Sequence, residues 1–195
     1  MIVFTKRNPD WMKWIAPDRF NDQDLFRIVI FFVFHSPCKN ISSMGKSLAE
    51  YGWSAPWSKP FYLNKQLRQA ASNYALIYPA ATYDEMDVAL EKAELENFIP
   101  FDCSRERICI YDCQSNQFLS VFFHIRNAFA HCRLNMVDVN GECVFLLEDV
   151  CPQKDKDDLK VSARMILYKS TLLKWIEIIE NGEREYQKIT KNDEE

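Results

Sequence analysis

The sequence predicts an all-helical bundle with a β-hairpin inserted near residues 133–150. Apolar residues recur at spacings of three and four in several segments of the 195-residue chain, which is typical of amphipathic helices. An Asn-Gly pair, Asn140 and Gly141, separates two partly alternating apolar runs, and this is a strong hairpin signal. Only 4 glycines are present, which disfavours a loop-rich or glycine-cradle architecture.

The first half of the chain is expected to be helical after a lead-in over residues 1–19, which Pro9 and Pro17 interrupt. In order, the expected helices are residues 24–35 with Asn21 as N-cap, residues 42–51, a helix from Phe61 that Pro79 breaks or kinks, and residues 82–98. For Ile28–Phe34 a β-strand stays open as the alternative, because this run is short and rich in aromatic and β-branched residues.

In the second half, residues 101–113 indicate a loop with a short strand, and residues 118–133 indicate one apolar helix. The hairpin follows, and residues 151–158 form a charged loop. A long final helix is predicted over residues 159–180, where Asn181-Gly182 would end it.

Composition narrows the functional class. The net charge of −4 means that any contact with RNA must be a local patch, because proteins that coat nucleic acid are usually basic. The odd count of 7 cysteines, with no secretory signal before them, favours free thiols and a cytoplasmic protein. The longest apolar run, Ile28–Phe34, is too short to span a membrane, so no membrane partner is expected.

Two cofactor-binding patterns are present only in part. Met44-Gly45-Lys46-Ser47 is similar to the end of a P-loop, but Asn40 stands where the phosphate cradle needs a glycine. Cys109 and Cys113, with other cysteines nearby, could supply zinc ligands, but paired Cys-x2-Cys knuckles are missing. We therefore predict neither a metal nor another cofactor.

The helix over residues 118–133 carries the candidate chemistry. Asn127 and His131 are four residues apart and share a helical face, and His124 lies on that face two turns before His131. Arg126 points off this line, but its long side chain can swing back. An arginine provides permanently charged planar donors, and a histidine can exchange a proton near neutral pH. Such a set suits a phosphate site; the alternative is a set of polar groups that merely hydrogen-bond to the fold.

The segment Arg126-Asn127-Ala128-Phe129-Ala130-His131 resembles the Arg-x4-6-His signature of HEPN domains, which has a polar residue directly after the arginine. HEPN domains are helical bundles of bacterial defence and toxin systems, and many are metal-independent ribonucleases that work as dimers. The resemblance implies one HEPN-like domain over residues 1–182, with residues 183–195 as a charged tail. It also implies RNA as substrate, a homodimer, and an antitoxin or other regulatory partner.

By this resemblance Arg126, Asn127 and His131 are the catalytic residues. His131 would transfer protons while a 2′-hydroxyl attacks the phosphorus, Arg126 would neutralise charge on the phosphate oxygens, and Asn127 would orient the phosphate or the imidazole. Four further basic residues near this helix are expected to contact substrate: His124, Arg133, Arg105 and Arg107. The alternative function is a non-catalytic module of the same type that binds nucleotides, RNA or protein.

Overall fold

A six-stranded mixed β-sheet lies at the centre of the computed structural model, so the prediction of an all-helical bundle is wrong. The structure describes residues 3–12, 22–38, 42, 44–53, 60–71, 76–97, 102–114, 116–151 and 158–192. The strands are β1 (Phe4–Lys6), β2 (Leu76–Ala80), β3 (Arg107–Tyr111), β4 (Leu134–Val139), β5 (Glu142–Cys151) and β6 (Asp158–Tyr168). The α-helices are α1 (Gln23–Ile30), α2 (Pro60–Ala70), α3 (Met86–Ala93), α4 (Gln117–Ala130) and α5 (Lys169–Asn192).

The strands lie in the order β2-β3-β6-β5-β4, and β1 also pairs with the start of β6. Only β2 and β3 run parallel; the other pairs in this sheet are antiparallel. Alternate residues of the central strands point to two cores. Phe145 and Met165 pack in the core that holds α4 and α5, while Val144 and Ile166 pack in the core that holds α3. The central strands are therefore buried on both faces.

This double burial explains the largest error of the sequence-based interpretation. Residues 159–167 were predicted as the start of the final helix, but they lie in β6, and α5 begins only at Lys169. A strand buried on both faces has a nearly continuous apolar sequence, which periodicity cannot distinguish from a buried helix. Pro79 lies within β2 rather than in a kinked helix. Among the described strands β2 is an edge strand, where proline is tolerated.

The predicted hairpin is present in β4 and β5, with Asn140 and Gly141 at its turn. Both turn residues have positive φ angles, 53° and 86°, as a type I′ turn requires. The hairpin is not an insertion into a bundle, because β5 continues to Cys151 and pairs with β6 along most of its length. That continuation carries residue 149 to the candidate site.

The first helix also differs in detail from the prediction. Asp22 is the N-cap of α1, and its carboxylate accepts hydrogen bonds from the backbone of Asp24 and Leu25; Asn21 lies outside the described residues. Beyond Ile30 the chain continues as a π-helical turn over Phe31–His35, so the alternative strand over Ile28–Phe34 is absent. Within the described ranges, no helix has the length and apolarity needed to cross a bilayer.

Candidate functional site

Helix α4 positions the residues of the candidate site. Asn116 caps its start by accepting a hydrogen bond from the backbone of Phe118, and His131 occupies the C-cap with its N–H bonded to the carbonyl of Asn127. Phe122 and Phe129 anchor the helix in the core, and Phe129 packs edge-to-face on Phe145 of β5. This packing fixes α4 against the strand that carries its main polar partner.

That partner is Asp149 of β5, which is buried. Its Oδ2 accepts hydrogen bonds from His124 Nδ1 at 2.7 Å and from Asn127 Nδ2 at 3.1 Å. Its Oδ1 accepts a bond from the backbone N–H of Val150 at 2.9 Å. The carboxylate therefore joins two α4 side chains that are three residues apart. We call the connected side chains of Arg126, Asn127, Asp149, His124 and Cys113 the Asp149 network.

His124 is only 1% exposed, and both of its ring nitrogens face acceptors. Opposite Asp149, Nε2 lies 2.8 Å from the carbonyl oxygen of Tyr111 and 3.8 Å from Cys113 Sγ. A neutral imidazole would turn a lone pair toward one of the two oxygens, so the doubly protonated ring fits best. Burial by itself lowers the pKa of His124, but the hydrogen bonds to Asp149 and Cys113 and the charge of Asp149 outweigh burial and raise the pKa to about 9.

Arg126 is half-buried and is held by its neighbour. Its Nη1 donates to Asn127 Oδ1 at 3.0 Å, while Asn127 in turn donates to Asp149. Its Nε is buried and has no hydrogen-bond acceptor among the described residues. Among the described residues, no carboxylate lies within ion-pair distance of this guanidinium. A positioned cation without a counter-charge has the properties of an anion-binding group.

His131 is exposed at the end of α4. Within the part of the chain that the structure describes, no hydrogen bond joins its imidazole to Arg126 or Asn127. The structure thus links Arg126 to Asn127 within one protomer, and it leaves the His131 ring open to solvent.

The four basic residues predicted to contact substrate are engaged by the protein itself. Arg107 is buried and bonds Glu94 at 3.1 Å, and Arg105 bonds the same carboxylate at 2.5 Å. Arg133 is buried and pairs with Glu148, while His124 belongs to the Asp149 network. Their contact with RNA stays a prediction.

The sequence interpretation missed Asp149 and the relation of Cys113 to His124. One signal for Asp149 was available, since Glu148 and Asp149 follow the apolar run Val144–Leu147, where a carboxylate must find a partner. The strand was recognised, but its neighbour was not, because α4 and Asp149 meet only through the tertiary fold.

Metal ligands do not converge here. No group of three or more His, Cys, Asp or Glu side chains that could hold a metal occurs among the described residues. Cys113 and Asp149 lie at opposite nitrogens of the His124 ring, so they cannot share one ion with it. Each of the seven cysteines is a free thiol.

No protein-family model, curated protein or solved structure matches this chain. The resemblance to HEPN domains therefore depends on the Arg126–His131 motif alone. Functional inference has to start from the chemistry of α4 and its partners.

Proposed function

We propose that this protein is a metal-independent endoribonuclease of the toxin or phage-defence type, acting in the cytoplasm. The observation that supports the proposal is Arg126, a half-buried guanidinium that Asn127 positions and that has no carboxylate partner among the described residues. A phosphate diester would supply the missing negative charge. Five planar N–H donors suit the geometry of phosphate oxygens.

The reaction would begin with attack of an RNA 2′-hydroxyl on the adjacent phosphorus. His131 takes the proton from that hydroxyl and returns a proton to the leaving 5′-oxygen. Arg126 stabilises the charge that develops on the phosphate oxygens. Asn127 acts through Arg126, because its amide oxygen accepts from the guanidinium while its amide nitrogen is held by Asp149. The products carry a 2′,3′-cyclic phosphate and a 5′-hydroxyl.

The active unit in this proposal is a two-fold homodimer. His131 is exposed and is not bonded to Arg126 within the protomer, so His131 of a second copy could complete the site. Closed two-fold assemblies are the commonest form of homo-oligomer. A protein that covers this face, such as an antitoxin, would then restrain the activity.

The test is cleavage of a fluorescently labelled single-stranded RNA by purified wild-type protein beside His131→Ala and Arg126→Ala. We expect each substitution to reduce the rate by about 10²-fold or more, with the fold retained by circular dichroism. Arg27→Ala is the matched control, since Arg27 is an exposed arginine that already has a carboxylate partner, Glu180. EDTA should leave the rate unchanged, and full activity of folded His131→Ala would reject the mechanism.

A second candidate is a non-catalytic module that binds RNA or nucleotides through Arg126. It is favoured by the lack of a bond between Arg126 and His131 among the described contacts. Fluorescence anisotropy with the same RNA separates the two functions. A binding module would bind without cleaving, and it would lose affinity in Arg126→Ala but not in His131→Ala.

A further inference from the structure

Cys113 differs from the other cysteines in its surroundings. It is half-buried, and its Sγ lies 3.8 Å from His124 Nε2 and 3.8 Å from the side-chain amide nitrogen of Gln114. Four cysteines are buried, Cys151 is half-buried, and Cys132 is exposed.

The loop that carries Cys113 is fixed to α4. The hydroxyl of Ser120 accepts a hydrogen bond from the backbone of Gln114 at 2.9 Å and donates one to the carboxylate of Asp112 at 2.6 Å. The backbone of Asp112 also donates to the carbonyl of Ala80 at 2.9 Å. Residues on both sides of Cys113 are therefore anchored, and its position beside the imidazole is part of the fold.

The arrangement has the three parts of an activated nucleophile. A thiol lies near a histidine nitrogen, and the other nitrogen of that histidine is oriented by a carboxylate. Because both nitrogens of His124 face acceptors, the ring bears a positive charge next to the sulfur. A nearby imidazolium and an amide donor both favour the thiolate, which is the reactive form of cysteine.

We propose that Cys113 is a nucleophilic thiolate, paired with the imidazolium of His124, that reacts with small electrophiles of the hydroperoxide class. The burial of His124 and the half-burial of Cys113 favour small reagents over bulky acyl or peptide substrates. The reaction at Cys113 does not depend on the proposed RNA chemistry, although both sites share Asp149.

The reaction with hydrogen peroxide needs a thiolate and a proton donor, and Cys113 and His124 supply them. The thiolate sulfur attacks one peroxide oxygen, so that an S–O bond forms and the O–O bond breaks. The sulfur is oxidised to sulfenic acid and the peroxide is reduced. The departing hydroxide takes a proton from His124 and leaves as water, and His124 is left neutral.

Several ionisable groups surround this pair. Asp149 faces His124 from β5, and Arg126 is connected to Asp149 through Asn127 on α4 itself. The thiol of Cys38 interacts electrostatically with Cys113, and burial raises the pKa of Cys38 to about 11, so that it stays neutral. Tyr83 stacks on Tyr111 and interacts with the charge of Asp149, and burial also keeps its hydroxyl neutral. Asp149 is thus the carboxylate in direct contact with His124, and Cys113 is the other ionisable side chain beside the ring.

The experiment compares cysteines within one sample of the full-length protein. Iodoacetamide is applied at pH 6 and pH 8, and peptide mass spectrometry gives the labelling rate at each site. The labelling rate of an ordinary thiol of pKa near 8.5 falls by roughly 75-fold from pH 8 to pH 6, because its thiolate fraction falls by that factor. We expect the labelling rate of Cys113 to fall by less than about 5-fold over the same range. At pH 6 we expect Cys113 to react faster than the more exposed Cys132.

Two further arms use the same measurement. His124→Gln should lower the pH 6 rate at Cys113 by about 10-fold or more and leave Cys132 unchanged. Hydrogen peroxide followed by dimedone, which traps sulfenic acids, should label Cys113 first. If Cys113 in the wild type slows with pH as an ordinary thiol does, or reacts no faster than Cys132 at pH 6, the proposal is overturned. The wild-type profile decides this even if His124→Gln does not fold.

Discussion

His124 and Asp149 form a buried pair in which Nδ1 lies 2.7 Å from Oδ2, while the opposite ring nitrogen faces the carbonyl of Tyr111 at 2.8 Å. The pair joins the middle of α4 to a central strand of the sheet. It therefore serves the fold and the candidate site at once, and the protonation state of one imidazole affects both.

Stability should depend on pH through this imidazole. The folded-state pKa of His124, about 9, is above the ordinary value of 6.5, so the folded state binds its proton more tightly than the unfolded chain does. The resulting stabilisation is fully present below pH 6.5 and is lost as pH rises through 9. It amounts to at most about 3 kcal/mol, since one pKa unit corresponds to about 1.4 kcal/mol.

Urea denaturation between pH 6 and pH 9.5 measures this loss. Both proteins carry Cys113→Ser, so that no thiolate offsets the proton that His124 binds. In that background the free energy of unfolding should fall across the range, and adding His124→Gln should flatten the profile. Burial raises the pKa of Cys38 to about 11 and that of Cys109 to about 12. Their effect on the free energy of unfolding at alkaline pH is therefore the same in both proteins. Parallel profiles for the two proteins would contradict the assignment of the charge to His124.

The second prediction concerns Glu148, which is fully buried between two arginines. It bonds Arg164 Nε at 2.8 Å and also pairs with Arg133. Glu148→Gln removes the charge that balances both guanidinium groups, so we expect roughly 3–5 kcal/mol of destabilisation. Glu180→Gln is the control, because its pair with Arg27 is exposed and should contribute less than about 1 kcal/mol. Equal losses in the two variants would show that burial of the pair does not matter.

The third prediction concerns Gly182, which interrupts α5 with φ 68° and ψ 176°. A Cβ at this position would clash with the backbone oxygen of Tyr51, so Gly182→Ala combines a clash with strain at positive φ. Gly141→Ala is the matched control, because its φ is 86° and nothing lies within 4 Å of an added Cβ. In urea denaturation, Gly141→Ala should lower the free energy of unfolding by about 1 kcal/mol, and Gly182→Ala should lower it by clearly more. A smaller loss for Gly182→Ala would mean that the α5 segment does not contact Tyr51 in solution.

The sequence predicted the elements whose signals are local. The pair Asn140-Gly141 predicted the hairpin because a type I′ turn needs positive φ at two consecutive residues, and asparagine and glycine adopt positive φ readily. Helix α4 was recognised because Leu119, Phe122 and Phe123 keep a helical spacing, and the helix is present over Gln117–Ala130.

The sheet was missed for a physical reason. Val161, Ala163 and Met165 lie in a strand with both faces buried, and such a strand has no polar face to reveal a period of two. The Asp149 network was half visible. His124 and Asn127 could be placed on one face of α4, but Asp149 and Cys113 reach them only through strand pairing and loop packing, which one-dimensional spacing does not contain.

The fourth prediction concerns assembly. If RNA cleavage needs His131 of one protomer and Arg126 of another, the protein should be a dimer of about twice 23.0 kDa at micromolar concentration. Multi-angle light scattering measures this mass directly. Mixing His131→Ala with Arg126→Ala protein should restore a part of the activity, because a mixed dimer has one intact composite site. A monomer that cleaves RNA at the wild-type rate would exclude the composite site and leave a site within one chain.

The last prediction separates positioning of Arg126 from general support of α4. Asn127→Ala removes the amide that holds the guanidinium and its link to Asp149, so the turnover rate at saturating RNA should fall by about 10-fold. Gln117→Ala is matched to it, since Gln117 is an amide on the same helix that bonds another arginine, Arg68. The control should keep its turnover rate, although both variants lose one side-chain hydrogen bond to an arginine.

Thermal unfolding of the two variants completes the comparison. If the Tm of both falls by a similar few degrees while only Asn127→Ala loses turnover, Asn127 acts by orienting Arg126. If Asn127→Ala loses turnover only where it is partly unfolded, its amide supports the helix and not the reaction. Unchanged turnover in a folded Asn127→Ala protein would mean that Arg126 reaches the phosphate without this support, and it would remove Asn127 from the proposed site.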